Sequence, residues 1–207
     1  VADTYLFFVD AGWSPDGSTI AATTSLPASL HIWNVVGELQ NIPDTSGDMY
    51  AFWQMQWSRD GETLYTFGGG VNPPPSAELW GWRYDEALYD WTETERWYLG
   101  RGTRNISLHP DEQRYATILD SGVIAVLEAH NLEPLATNTD FTTYITRLSW
   151  SPDGERLAVA AGGEGAALRI WNVFNAAIDS PLIIGELVAG FNWNNVLDMR
   201  WESQDTL

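Results

Sequence analysis

Short apolar runs that alternate with polar residues recur along this chain behind one repeated polar turn. The turn reads WSPDG at Trp13 to Gly17 and again at Trp150 to Gly154, with variants WSRDG from Trp57 and LHPDE from Leu108. Behind each turn comes a run (STIAATT, ETLYTFG, QRYATIL, ERLAVAA), then a loop, then a second run (SLHIWNV, AELWGWR, VIAVLEA, ALRIWNV). A third, less regular run closes each unit: GELQNI, ERWYLG, EPLATN and PLIIGELVA. Period-two alternation bounded by Gly, Pro, Ser or Asn predicts strands in a meander, and no helical periodicity is sustained over three turns. Counting the run that leads into each turn, every repeat supplies four strands.

The spacing sets the architecture. The first apolar residues of the turns lie 44, 51 and 42 residues apart, and a weaker fifth copy, WESQDTL, begins at Trp201, a further 51 on. Periods of roughly 40 to 45 residues match one four-stranded propeller blade. Within Ser14-Pro15-Asp16-Gly17, Ser caps the first position, Pro presets φ, Asp suits the third place and Gly takes the last, where φ is positive. That describes a hairpin built on a type I turn with a Gly bulge. Asp16, Asp60, Asp111 and Asp153 are accordingly read as turn formers rather than catalytic acids.

Repeats of the form WSPDG…LA…LRIWNV resemble the WD-repeat β-propeller family over essentially the whole chain. LHIWNV and LRIWNV match the family's terminal signature, with Asn34 and Asn172 in place of the usual aspartate. The second unit keeps Trp80 in ELWGW, and the third keeps only an outline in IAVLEA. The family's Gly-His pair is missing from every unit, and His31, His109 and His130 do not replace it, so blade cohesion should depend more on apolar packing. TolB-like propellers, which also carry WSPDG but usually lack IWNV, are the runner-up. The expected fold is all-β: a β-propeller of four-stranded antiparallel blades at about 5–42, 49–100, 103–138 and 141–189, followed by the first strand of a fifth at 190–207. Because the resemblance implies six to eight blades, residues 1–207 are expected to form a partial propeller, an incomplete ring. Its remaining blades would come from the rest of a longer chain or from another subunit.

Charge narrows the partners. The chain carries 28 acidic against 10 basic residues, a net charge of −18, and every base is arginine. Such a surface repels phosphate backbones and anionic lipid, which argues against nucleic acid and against membrane insertion. No apolar run is long enough to span a bilayer and no secretory pattern opens the chain, so a soluble protein is expected. With no cysteine, disulfides and thiolate chemistry are excluded. A nucleophile elbow, a zinc-binding His-Glu-x-x-His and a phosphate loop are all missing. The glycines at Gly68 to Gly70 and the GGEG from Gly162 read as strand connections. The sequon at Asn105 falls on an inner strand, where a glycan would not fit. No catalytic residue, cofactor or metal site is therefore expected.

Function is then expected on surfaces, through a non-enzymatic scaffold that binds a protein or peptide. The resemblance points to the loop-rich face, opposite the turns, where Asp48, Tyr50, Trp53, Arg101, Arg104, Phe141, Tyr144 and Trp193 are the candidate partner-binding residues. The proline-rich loop Gly68 to Glu78 belongs to the same face. Asp10, Gln54, Asn105, Arg147 and Asp198, each three places before a turn's apolar residue, are expected to line a wet channel. Trp13, Trp57, Trp150, Trp201, Trp33, Trp80 and Trp171 read as core. Trp82, Trp91 and Trp97 surround an acidic insertion, RYDEALYDWTETER, expected as a solvated loop. Two alternatives stand beside the scaffold: an accessory propeller that gates or positions an enzyme domain outside this chain, and a carbohydrate or small-ligand binder using Trp91 and Trp97.

Overall fold

The computed structural model describes residues 7–25, 28–40, 49–70, 77–100, 105–119, 122–129, 131–138, 145–161, 167–174, 177–178, 182–186, 199 and 201. They form antiparallel sheets in two compact units, 1–101 and 102–207. Among the described residues no helix is long and apolar enough to cross a membrane.

The first unit holds two sheets. Strands β1 (Phe8–Trp13), β2 (Thr19–Ser25) and β3 (Ala28–Asn34) form a three-stranded meander. The run expected as its fourth strand contributes a single bridge, Trp33 to Leu39. Here Asn34 turns the chain instead: its Oδ1 accepts the Val36 and Glu38 amides, and Gly37 follows at φ +83°. Strands β4 (Met49–Trp57), β5 (Thr63–Gly70), β6 (Ala77–Asp85) and β7 (Asp90–Gly100) make the second sheet in that order. The acidic insertion is thus a long hairpin rather than a loop. Trp91 joins Trp80 and Trp82 in the core, and Glu93 pairs with Arg96 at 2.8 Å. Gly68 to Gly70 likewise sit inside β5, paired with β4 and β6.

The second unit repeats the plan. Strands β8 (Ile106–Leu108), β9 (Arg114–Ile118), β10 (Ile124–Glu128) and β11 (Pro134–Asn138) form one sheet. The other is built on β12 (Ile145–Trp150), β13 (Arg156–Ala161) and β14 (Ala167–Phe174), with β15 (Ala177–Ile178) and β16 (Leu182–Glu186) both pairing β14. Of the segment expected as the start of a fifth blade, only Met199 and Trp201 are described. Trp201 is buried with Ala158 and Ile170.

Each unit has its core between its two sheets. In the first, Leu30 and Ile32 meet Phe52, Leu64, Trp80 and Trp82, all nearly inaccessible to solvent. In the second, Val126 and Ile118 meet Leu148, Trp150, Leu157 and Trp171. Burial on this scale, worth about 1.5–3 kcal/mol for each large apolar side chain, holds the sheets face to face without the family's histidine network.

All four turns close as the sequence reading requires. The last turn position donates its amide to the first residue's carbonyl: Gly17 to Ser14 at 2.9 Å, Gly61 to Ser58 at 3.1 Å, Glu112 to His109 at 2.9 Å and Gly154 to Ser151 at 2.8 Å. Gly17, Gly61 and Gly154 have φ between +70° and +77°, and Glu112 tolerates the same region at +58°. Each aspartate accepts the amide two residues on, and Asp16, Asp60 and Asp153 also accept the preceding serine hydroxyl. The Ser14 hydroxyl, with help from the Ser18 amide, lowers the Asp16 pKa to about 2, and the Ser58 hydroxyl lowers that of Asp60.

Candidate functional site

The residues expected on the loop-rich face lie mostly outside the described part of the chain: Asp48, Arg101, Arg104, Phe141, Tyr144 and Trp193. Tyr50 is placed in β4, with only its backbone described. Trp53 is half-buried and packs edge-on against Phe67, ring centroids 5.3 Å apart, as a packing residue would.

Two of the residues expected to line a channel, Asp10 and Asn105, clip neighbouring sheets together, while Gln54 lies in β4 and Arg147 in β12, where its guanidinium donates to the adjacent Thr146 carbonyl. Asp10 accepts the Met55 amide at 2.9 Å, and Asn105 donates from Nδ2 to the Thr146 carbonyl at 2.7 Å. Asn105 is only 4% exposed, so it does not line water, and a glycan has no room there either. Its Oδ1 has no partner among the described residues. Asp198 lies outside the described residues.

Tryptophan supplies a second clip that sequence reasoning missed. The Trp57 Nε1 donates to the Gly12 carbonyl at 3.3 Å, Trp150 to Ser107 at 3.2 Å and Trp201 to Ser149 at 3.1 Å. Each acceptor is the residue just before the turn's first apolar position one repeat earlier. The repeated Trp is the signal for it, since an indole adds a donor to a packing ring. Trp13 departs from the expected core position: it is 59% exposed, on a face with Val9 and Ala11 that points away from the second sheet.

His109 was also missed as a linking residue. It takes the serine position of the third turn, accepts the Asp111 amide at Nδ1, and reaches the Gly154 carbonyl with Nε2 at 2.9 Å. Asp111 is held below the ordinary carboxylate range: burial raises its pKa, but the Gln113 amide, Arg114 and His109 together outweigh that.

One concave site is described in the first unit, at the turn ends of its two sheets: a cleft of about 500 Å³. Trp57, Tyr84 and Trp91 supply its aromatic side, with Tyr84 and Trp57 both tilted against Trp91 at centroid distances of 6.0 and 5.7 Å. Only Tyr84 presents substantial surface, since Trp91 is 6% exposed and the Trp57 indole is engaged with Gly12. Trp82 is buried and donates to Thr66, and Trp97 is half-buried near Tyr65. Trp82 and Trp91 are therefore packed core.

Asp16, Glu62 and Glu86 rim the cleft against a single base, Arg83. That guanidinium is already occupied: Nε donates to Thr63 Oγ1 at 2.8 Å, and an amino group lies 3.6 Å from Glu62. Two turns border the opening. Asn34 and Gln40 bracket one, which exposes Val35, Val36 and Leu39. Tyr84 and Trp91 bracket the other, which exposes Leu88 and Tyr89. Among the described residues no three of His, Asp or Glu converge as a ligand set.

Residues 132–172 match the family described as WD domain, G-beta repeat. The matched stretch runs from just before β11 into β14, so the family repeat takes the outer strand of one sheet and the first three of the next. Among solved structures, the chain is similar to the crystal structure of the RRP9 WD40 repeats, with a TM-score of 0.62 and 16% identity. That likeness covers 87% of this chain and 51% of the other, so this chain spans about half the length of that structure. No curated protein matches the chain. The repeat at 132–172 thus carries the WD-repeat family signature, and the chain has the blade fold of a WD-repeat β-propeller.

Proposed function

We propose that the chain is a non-enzymatic scaffold that binds a protein or peptide partner. The supporting observation is the cluster of exposed apolar side chains at the turn ends of the first unit, Val35, Val36 and Leu39 on one turn and Leu88 and Tyr89 on the other. Contiguous apolar surface on a soluble chain usually marks an interaction site. The loop-rich face, with Asp48, Tyr50, Trp53, Arg101, Arg104, Phe141, Tyr144 and Trp193, is a second surface under the same reading, because aromatic and arginine side chains dominate interface energetics.

The exposed face of β1 belongs to the same proposal. In β4 and β12 the residues at corresponding places, Met55 and Trp57, Leu148 and Trp150, pack into a core with the preceding sheet. In β1 the equivalents, Ala11 and Trp13, are open to solvent. A further blade, from the rest of a longer chain or from another subunit, is the partner of matching shape.

Binding of a defined synthetic peptide library to the immobilised chain tests the scaffold. Retention should fall in a Val36→Ser, Tyr89→Ser double variant, or in an Arg101→Ala, Arg104→Ala variant, according to which surface is used. A library from which nothing is retained sinks the reading.

A further inference from the structure

We propose that the cleft between the turn ends of the first two sheets binds a basic, extended peptide segment, seating an arginine or lysine side chain beside Tyr84 among Asp16, Glu62 and Glu86. This rests on the scaffold reading and names the partner's chemistry at one surface.

Charge is the first argument. Three carboxylates and one guanidinium line the cleft, and that guanidinium is committed to Thr63 and to Glu62, one of the three. Glu86 is exposed and makes no hydrogen bond or ion pair among the described residues, so its carboxylate is available to a ligand. Asp16 is held ionised by the Ser14 and Ser18 hydrogen bonds. The chain's net charge of −18 adds a long-range field that draws cations and rejects anions.

Shape is the second. A cleft of about 500 Å³ accommodates a long side chain but not a folded element. Tyr84, 39% exposed on its wall, offers an aromatic ring of the kind a guanidinium or ammonium packs on. An alkyl stem can lie along Tyr84 and the half-buried Trp57 while the head reaches the carboxylates. On either side, Val36 at 74% and Tyr89 at 76% exposure stand ready for apolar residues flanking the cation. The ligand so described alternates basic and apolar residues in an extended chain.

Calorimetric titration with four capped synthetic probes tests this: a peptide of leucine, glycine and arginine, its glutamine and glutamate counterparts, and a cello-oligosaccharide. The arginine peptide should bind, the glutamate peptide should not, and added salt should weaken the complex. A Glu62→Gln, Glu86→Gln variant and a Tyr84→Ala variant should each weaken binding about tenfold. All three positions are exposed, and an unchanged thermal midpoint confirms that each variant is folded. Glutamine-peptide binding as tight as that of the arginine peptide, lost in Tyr84→Ala, would overturn the basic specificity while leaving the scaffold reading intact. Arginine-peptide binding unaffected by both variants would move the ligand off this cleft. Binding of the oligosaccharide alone would overturn both readings at this surface, and no binding of any probe overturns the proposal.

Discussion

At the residue scale, the turn residues show what a local pattern can and cannot reveal. Ser, Pro, Asp and Gly act within five positions of one another, so their roles were legible in the sequence. The role of His109 was not, because its partner is a backbone carbonyl 45 residues away. A Cβ placed on Gly154 would overlap the His109 imidazole, whereas one on Gly17 would meet nothing within 4 Å. Both glycines hold positive φ, +75° and +70°. Gly17→Ala should therefore cost only the left-handed strain of an alanine, about 1–2 kcal/mol. Gly154→Ala should cost more, since it adds the steric conflict. The excess should vanish in a His109→Ser background, because serine is the residue that the other three turns use at this place. Denaturant unfolding of the four variants reads this as a double-mutant cycle. Equal costs for Gly154→Ala in both backgrounds would refute the imidazole contact.

At the scale of the elements, alternation identified most strands, but it could not identify what joins one sheet to the next. The hairpin of β6 and β7 is hard to read in sequence because acidic residues are interleaved with the tryptophans that its core buries. The repeated tryptophan marks inner strands and does more than pack. Its ring fills the core while its N–H satisfies a carbonyl that the neighbouring sheet would otherwise bury unpaired. Leu108 has no side-chain donor and cannot make this bond, and the neighbouring His109 reaches the other way, to the Gly154 carbonyl of the following sheet. Replacing Trp57 by Phe keeps an aromatic ring and deletes the donor, so it should destabilise the protein by about 1–3 kcal/mol through the orphaned Gly12 carbonyl and the smaller ring. Trp150→Phe should cost at least as much, because that indole also packs edge-on against His109 at 4.6 Å. Trp13→Phe, at an exposed position, should fall within about 0.5 kcal/mol of the parent. Chemical denaturation of the three variants checks the order, and a Trp13 effect as large as that of Trp57 would contradict it.

At the scale of the whole molecule, the blade fold was legible because one period recurs through the chain, and periodicity survives even where individual residues drift. The interaction surfaces were less legible. Most of the loop-face candidates fall outside the described residues, and the cleft is assembled from three turns, the end of β4 and a hairpin that no single motif announces. Exposure on β1 was hidden for a related reason: Trp13 has the same letter as Trp150, and only its neighbour in space decides which of them is buried. Phe7, just ahead of β1, and Phe8, Val9 and Trp13 within it are 63%, 55%, 42% and 59% exposed, so this strand leaves much apolar surface open. Two forces then act on the isolated 207-residue chain. Apolar area favours covering that strand with another molecule, while a net charge of −18 on every copy opposes close approach. Salt screens the second force over about 10 Å at 0.1 M and leaves the first nearly unchanged. The mean mass measured by sedimentation should accordingly rise with protein concentration and rise further with added salt. A Phe8→Ser, Trp13→Ser variant should remain monomeric under the same conditions with its thermal midpoint unchanged, because neither side chain is part of the core. If the parent chain stays monomeric at high concentration and high salt, the β1 face does not seek a partner blade.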